Sequence, residues 1–162
     1  MAAGKHPPAW TRLLRRLARP FLSSAEKERI VSAIAEAESR TTGEIHVHVI
    51  ARSGGKEMLT LAKETFDRLG LRKTDARNGV LILISHLDHR FAIWGDEGIH
   101  AKAGQRLWED AAKVLRERFA ERLYPEGVEA CVRAVAEELA RHFPKTEPGP
   151  GKNQLPNDVT ES

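Results

Sequence analysis

The chain has 162 residues, 30% of them charged and 41% hydrophobic, with a formal net charge of +3. That is the size and make-up of one globular domain able to bury a core, and nothing in it approaches the roughly 18 apolar residues of a membrane span. The single cysteine, Cys131, excludes an internal disulfide and fits a reducing, cytoplasmic setting. Charge is unevenly spread. Residues 1–20 hold Lys5, Arg12, Arg15, Arg16 and Arg19 and no acid, so the remainder is slightly acidic and no nucleic-acid face is expected on the folded domain.

Proline divides the chain into a basic leader (1–20), a domain (21–144) and a tail (145–162), because only Pro125 falls between Phe21 and Phe143. In the leader, Trp10, Leu13, Leu14 and Leu17 share one helical face flanked by arginines. Residues 10–19 therefore read as a helix packing on its own domain or a partner, a membrane-surface helix, or an arginine-rich import sequence. Arginines interrupt every apolar stretch, which excludes a secretory signal. The tail has nothing to bury and is expected to be disordered.

Within the domain, Ser23 and Glu26 form an S-x-x-E capping box, followed by Ile30, Ile34 and Ala37 at helical spacing. Glu44–Ile50 alternates as a strand. Ser53-Gly54-Gly55 turns into a second helix with Leu59, Ala62, Phe66 and Leu69 inward. Gly79–Ile84 is continuously apolar, as in a strand covered on both faces. A short turn at Leu87–His89 leads back through Arg90–Trp94. One helix is predicted over about Ala103–Arg122 and another from Pro125 to before Pro144, with Cys131 on its apolar stripe. These elements compose a three-layer α/β/α sandwich. Its small mixed sheet combines a βαβ unit with an antiparallel hairpin, and helices cover both faces.

That topology gathers residues at two sheet ends. One end collects Glu44, Asp75, Asn78, Asp96 and Glu97 beside Gly95 and Gly98. Such oxygen donors suit Ca2+ or Mg2+ rather than zinc, although each also serves as a turn or cap residue. The other end holds Arg52–Lys56 and Ser85–His89. There Gly54-Gly55 could present backbone donors to an anion, and His86, Asp88 and His89 could act as acid or base, or form only an exposed hairpin turn. His46 and His48 share one strand face, but no further ligands are spaced to complete a zinc site. Trp94 and Trp108 are expected in the core.

Three stretches, Thr42-Gly43-Glu44, Arg77-Asn78-Gly79-Val80-Leu81-Ile82-Leu83-Ile84 and Phe91-Ala92-Ile93-Trp94-Gly95-Asp96-Glu97-Gly98-Ile99, together with the ending His142-Phe143-Pro144, resemble the TPM domain family. Its members include thylakoid-lumen proteins linked to photosystem repair and an animal receptor modulator. The resemblance implies an α/β/α sandwich and directs attention to Asn78 and Asp96, with Glu44 nearby, because relatives are described as phosphatase-like and some as calcium-binding. Many relatives carry a secretion signal and a transmembrane anchor; neither pattern is seen here. The reading is a soluble binding or maintenance module for a protein partner or a metal ion, with Ca2+ as the candidate cofactor. The alternative is a phosphatase-like hydrolase with a metal-assisted mechanism, the sequence offering no nucleophile motif.

Overall fold

The computed structural model describes residues 20–145 and 159–162; the leader helix expected over residues 10–19 lies outside them. Ser23 sets where the first helix begins. Its hydroxyl accepts the Glu26 N–H at 3.2 Å, and the Glu26 carboxylate accepts the Ser23 N–H at 2.7 Å, satisfying two donors that the first turn leaves over. Helix α1 then runs Ser24–Arg40. Strand β1 (Glu44–Ile50), helix α2 (Met58–Arg68), strand β2 (Gly79–Ser85) and strand β3 (Arg90–Gly95) follow. Helices α3 (Glu97–Ala103), α4 (Arg106–Ala120) and α5 (Tyr124–His142) lead to strand β4 (Val159–Glu161).

The sheet has the order β3-β2-β1-β4. β1 and β2 run parallel with Glu44 beside Gly79, as the crossover through α2 requires. β3 returns antiparallel, Val80 facing Gly95. Every residue of β1 and β2 is buried, so the pleat feeds two cores. Val47, Val80 and Ile82 pack with Ile30, Leu115 and Val135 from α1, α4 and α5 on one face. Leu81 and Leu83 pack with Met58, Ala62 and Phe66 of α2 on the other. The architecture is the expected α/β/α sandwich.

Three local expectations need correction. The single helix predicted from Ala103 is two helices, because Gly104 adopts φ +66 and ends α3, a conformation that costs glycine little. Leu59, placed inward by helical spacing, is 51% exposed, and Met58 takes the buried position. The third concerns the tail. Residues 159–161 are not disordered but pair parallel with β1, Val47 opposite Val159. Tail composition hides this, because the strand depends on an edge rather than on its own apolar content. β1 presents an outer row of backbone donors and acceptors that asks for a partner, Val159 is buried, and Glu161 reaches Lys27 of α1 at 2.9 Å.

Deleting residues 159–162 removes the burial of Val159 and the pairing on β1, and is expected to cost about 2 kcal/mol. Urea unfolding of full-length and truncated chains measures it; an unchanged midpoint would show that β4 contributes nothing to the fold.

Candidate functional site

At the acidic end, the chain geometry of the hairpin does what the topology predicts. The Asp96 N–H donates to Gly79 O at 3.0 Å and the Glu44 N–H to Asn78 O at 3.4 Å, so Glu44, Asn78 and Asp96 meet where β1 and β2 start and β3 ends. All three are buried. Asp75 and Glu97 are exposed.

The side chain that organises this end is Arg77, which lies inside the Arg-Asn-Gly stretch but was not predicted as part of the site. Its Nε and Nη2 donate to Asp96 Oδ2 and Oδ1 at 2.7 and 2.9 Å. Such two-pronged pairing is the strong form of an arginine–carboxylate contact, and it raises the guanidinium pKa further. Asp96 Oδ1 also accepts the Glu97 N–H at 2.8 Å, making Asp96 the N-cap of α3. The Gly95–Gly98 segment, which turn chemistry allows as a plain turn, is therefore a strand end joined to a helix start. Gly98 is required there: its N–H donates to Arg77 O at 2.9 Å, and a Cβ would stand 2.2 Å from Ala76 O. Arg77 itself holds φ +51. Around this core, Glu97 lies 3.6 Å from Arg77 and 3.9 Å from Arg72, and Arg72 bonds Asp67. The Asn78 amide nitrogen donates to Thr42 Oγ1 at 3.1 Å, whereas its Oδ1 is buried with no hydrogen-bond partner among the described residues.

The Asn78 oxygen is the kind of acceptor a hard cation takes, but the remaining donors do not fit a calcium ion as arranged. Both Asp96 oxygens are engaged by Arg77, Asp75 and Glu97 are exposed, and no three acidic, histidine or cysteine side chains converge on a metal position among the described residues.

The opposite end is built around Asp88. Its Oδ2 accepts the Ser53 N–H at 2.5 Å and the Ser85 hydroxyl at 2.7 Å, and Arg52 stands 3.4 Å from Oδ1. The Ser53 N–H bond, then the Ser85 hydroxyl, draw its pKa down to about 2, so Asp88 is a fixed carboxylate that ties β2 to the loop after β1. Glu57 caps α2, accepting the Leu59 and Thr60 N–H groups at 2.9 and 2.7 Å. A carboxylate thus already fills the helix start that the glycine turn offered to an anion. His86 stacks on Phe21 with ring centroids 5.3 Å apart, and His89 lies 3.5 Å from the Tyr124 hydroxyl. Cys131 is fully buried and its thiol pKa is pushed well up by that burial, which makes it inert.

His46 and His48 are held by the tail strand. Thr160 Oγ1 lies 2.9 Å from His46 Nε2 and 2.5 Å from His48 Nδ1, and Ser162 Oγ is 2.8 Å from His48 Nε2. The Thr160 hydroxyl bridges the two rings, able to donate to one ring nitrogen and accept from the other.

The TPM domain profile matches residues 18–138, a span holding both sheet ends and ending before β4. The chain belongs to the TPM domain family. Among solved structures it is similar to the BA42 protein from the psychrophilic bacterium Bizionia argentinensis, with 29% identity over 90% of this chain and 98% of that one and a TM-score of 0.81. The N-terminal domain of the cg2496 protein from Corynebacterium glutamicum shares the fold at 13% identity and a TM-score of 0.61, over 83% of this chain and 80% of that one. An N-terminal domain from P. gingivalis shares it at 17% identity and a TM-score of 0.62, over 79% and 84%. No curated protein matches the chain. Among the described residues no helix is long and apolar enough to cross a membrane.

Burial, followed by the charge of His46 and that of Arg68 on α2, lowers the His48 pKa to about 4, with Glu161 of β4 opposing. An unfolded histidine titrates near 6.5. The stability this neutral ring supports is therefore complete above pH 6.5 and is lost as pH falls through 6.5 towards 4. Thermal melts across pH 7.5 to 4.5 should fall more steeply for the wild type than for His48→Gln; parallel curves would contradict the assignment.

Proposed function

We propose that this TPM domain is a binding module without a catalytic centre, its acidic end held closed by Arg77. The observation carrying the reading is the two-pronged Arg77–Asp96 contact at 2.7 and 2.9 Å. A metal-assisted phosphatase needs carboxylate oxygens free to hold the ion that polarises water or phosphoryl oxygen, and here the most buried acid of the set has none to spare. A covalent mechanism fares no better. Cys131 is sealed in the core, and the Ser85 hydroxyl is buried and bonded to Asp88, whose pKa, drawn down to about 2 by the Ser53 and Ser85 hydrogen bonds, lies well below that of a working general base. On this reading a divalent ion such as Ca2+ enters the acidic end only in exchange for the guanidinium, and the module's work is the recognition of a partner protein.

A model aryl-phosphate assay with and without Ca2+ or Mg2+ tests this. Wild type, Asp96→Asn and Cys131→Ser are all expected to show no turnover above buffer. Turnover abolished by chelator and by Asp96→Asn would establish the hydrolase instead.

A further inference from the structure

The two edges of the sheet are treated differently. β4 covers the outer edge of β1. β3 is the opposite edge, and no strand among the described residues pairs with its outer side. The register shows which groups it offers. The bond from the Asp96 N–H to Gly79 O makes that facing pair a hydrogen-bonded one. Antiparallel pairs alternate, so Trp94, Ala92 and Arg90 are the residues bonded to β2, while Phe91 and Ile93 turn their N–H and C=O groups outward. Gly95 is outward by the same count, and on its α4 face the Trp108 ring occupies the place of a Cβ, 2.1 Å away.

Over this edge runs a groove of about 630 Å³ between α2 and α4. Met58 and the exposed Leu59 line it from α2; Trp108 and Ala112 line it from α4. The indole Nε1–H of Trp108 is buried without an acceptor among the described residues, an incomplete state that a carbonyl would satisfy. The groove is also electrically polar along its length. α4 passes from Gln105 and Glu109 beside Trp108 to Arg116 at the end nearer Phe119, whose ring meets Phe91 at 5.9 Å. Arg116 and Arg90 therefore mark the Phe91 end; neither forms an ion pair among the described residues, while Arg90 donates to Lys56 O at 3.4 Å and acts on the nearby Glu57 carboxylate. Glu57, also at this groove, is engaged in capping α2.

We propose that this groove receives an extended segment of a partner protein, which adds to β3 as a further strand through the N–H and C=O groups of Phe91 and Ile93. Its side chains alternate between the two faces, an aliphatic one at the centre meeting Leu59 on the α2 side and its neighbours turning towards Ala112 on the α4 side, and the residue at the Phe91 end is acidic, to meet Arg90 and Arg116. Backbone pairing supplies affinity in this mode and the flanking side chains supply selectivity. The acid requirement sets a partner apart from the chain's own leader, since residues 1–20 carry five cations and no acid. This inference rests on the binding-module reading and names its partner class.

The probe is a seven-residue amidated peptide alternating valine with serine and ending in aspartate, compared with the same peptide carrying lysine there and with one whose central residue is proline. Binding to the full-length chain is followed by amide chemical shifts and hydrogen exchange. The aspartate peptide is expected to shift the Phe91 and Ile93 amides saturably and slow their exchange, the proline peptide to do neither, and Arg90→Glu/Arg116→Glu to weaken binding about tenfold or more while favouring the lysine peptide. Leu59→Lys, at an exposed position that leaves the fold intact, should weaken binding of every peptide. The proposal is overturned by shifts that map elsewhere, by no saturable shift at millimolar peptide, or by Phe91 and Ile93 amides already protected without peptide, which would assign the edge to the leader or to a second copy. Phosphate-ester turnover would sink the non-catalytic reading without touching this one, so the two fail separately.

Discussion

The contact between Arg77 and Asp96 decides what the acidic end of this sheet can do. One guanidinium joins the entry to β2, the exit of β3 and the first turn of α3, because Asp96 accepts from Arg77 and caps the helix with the same carboxylate. Asp96 is buried, and a buried carboxylate is stable only when paired and hydrogen-bonded. The backbone is arranged to permit this: Arg77 sits at positive φ, and Gly98 lets α3 approach the carbonyls of Ala76 and Arg77. Among the acids that the topology gathers at this end, Asp96 is bound by Arg77 and has a helix built on it.

The sheet around that clasp is asymmetric in a way that bears on recognition. β1 is protected by a short strand from the far end of the chain, fastened through Val159 burial, the Lys27–Glu161 pair and the Thr160 hydroxyl between two buried histidines. Among the described residues β3 has no such cover, and its flanking helices stand apart to form a groove. An open edge is ordinarily a liability for pairing with other chains; here the groove along it runs from Trp108 towards Arg90 and Arg116.

Much of the fold was legible because local signals agreed with the global one. The Ser23–Glu26 box, the alternation of Glu44–Ile50 and the unbroken apolar run of Gly79–Ile84 each specify their element, and the crossover and hairpin then fix which residues share a sheet end. What was not legible depended on long-range partners. Arg77 stood in plain sight within Arg77-Asn78-Gly79, yet only the return of β3 brings Asp96 to it, 19 residues later. The tail strand is polar and gains its structure from an edge 112 residues away in sequence. The break at Gly104 depends on a left-handed backbone that an apolar periodicity does not encode, and Leu59 faces outward because the buried stripe of α2 runs through Met58, Ala62, Thr65 and Phe66, spacing that Leu59, Ala62 and Phe66 fit equally well.

Arg77 holds the acidic end by occupying both oxygens of Asp96. A Ca2+ titration followed by two-dimensional amide NMR on the wild type and on Arg77→Gln tests it most directly. The Asn78 and Asp96–Gly98 amides of Arg77→Gln are expected to respond saturably at lower calcium than those of the wild type, because the competitor for Asp96 has been removed. A wild type that binds calcium there as tightly as the variant, or more tightly, would contradict it.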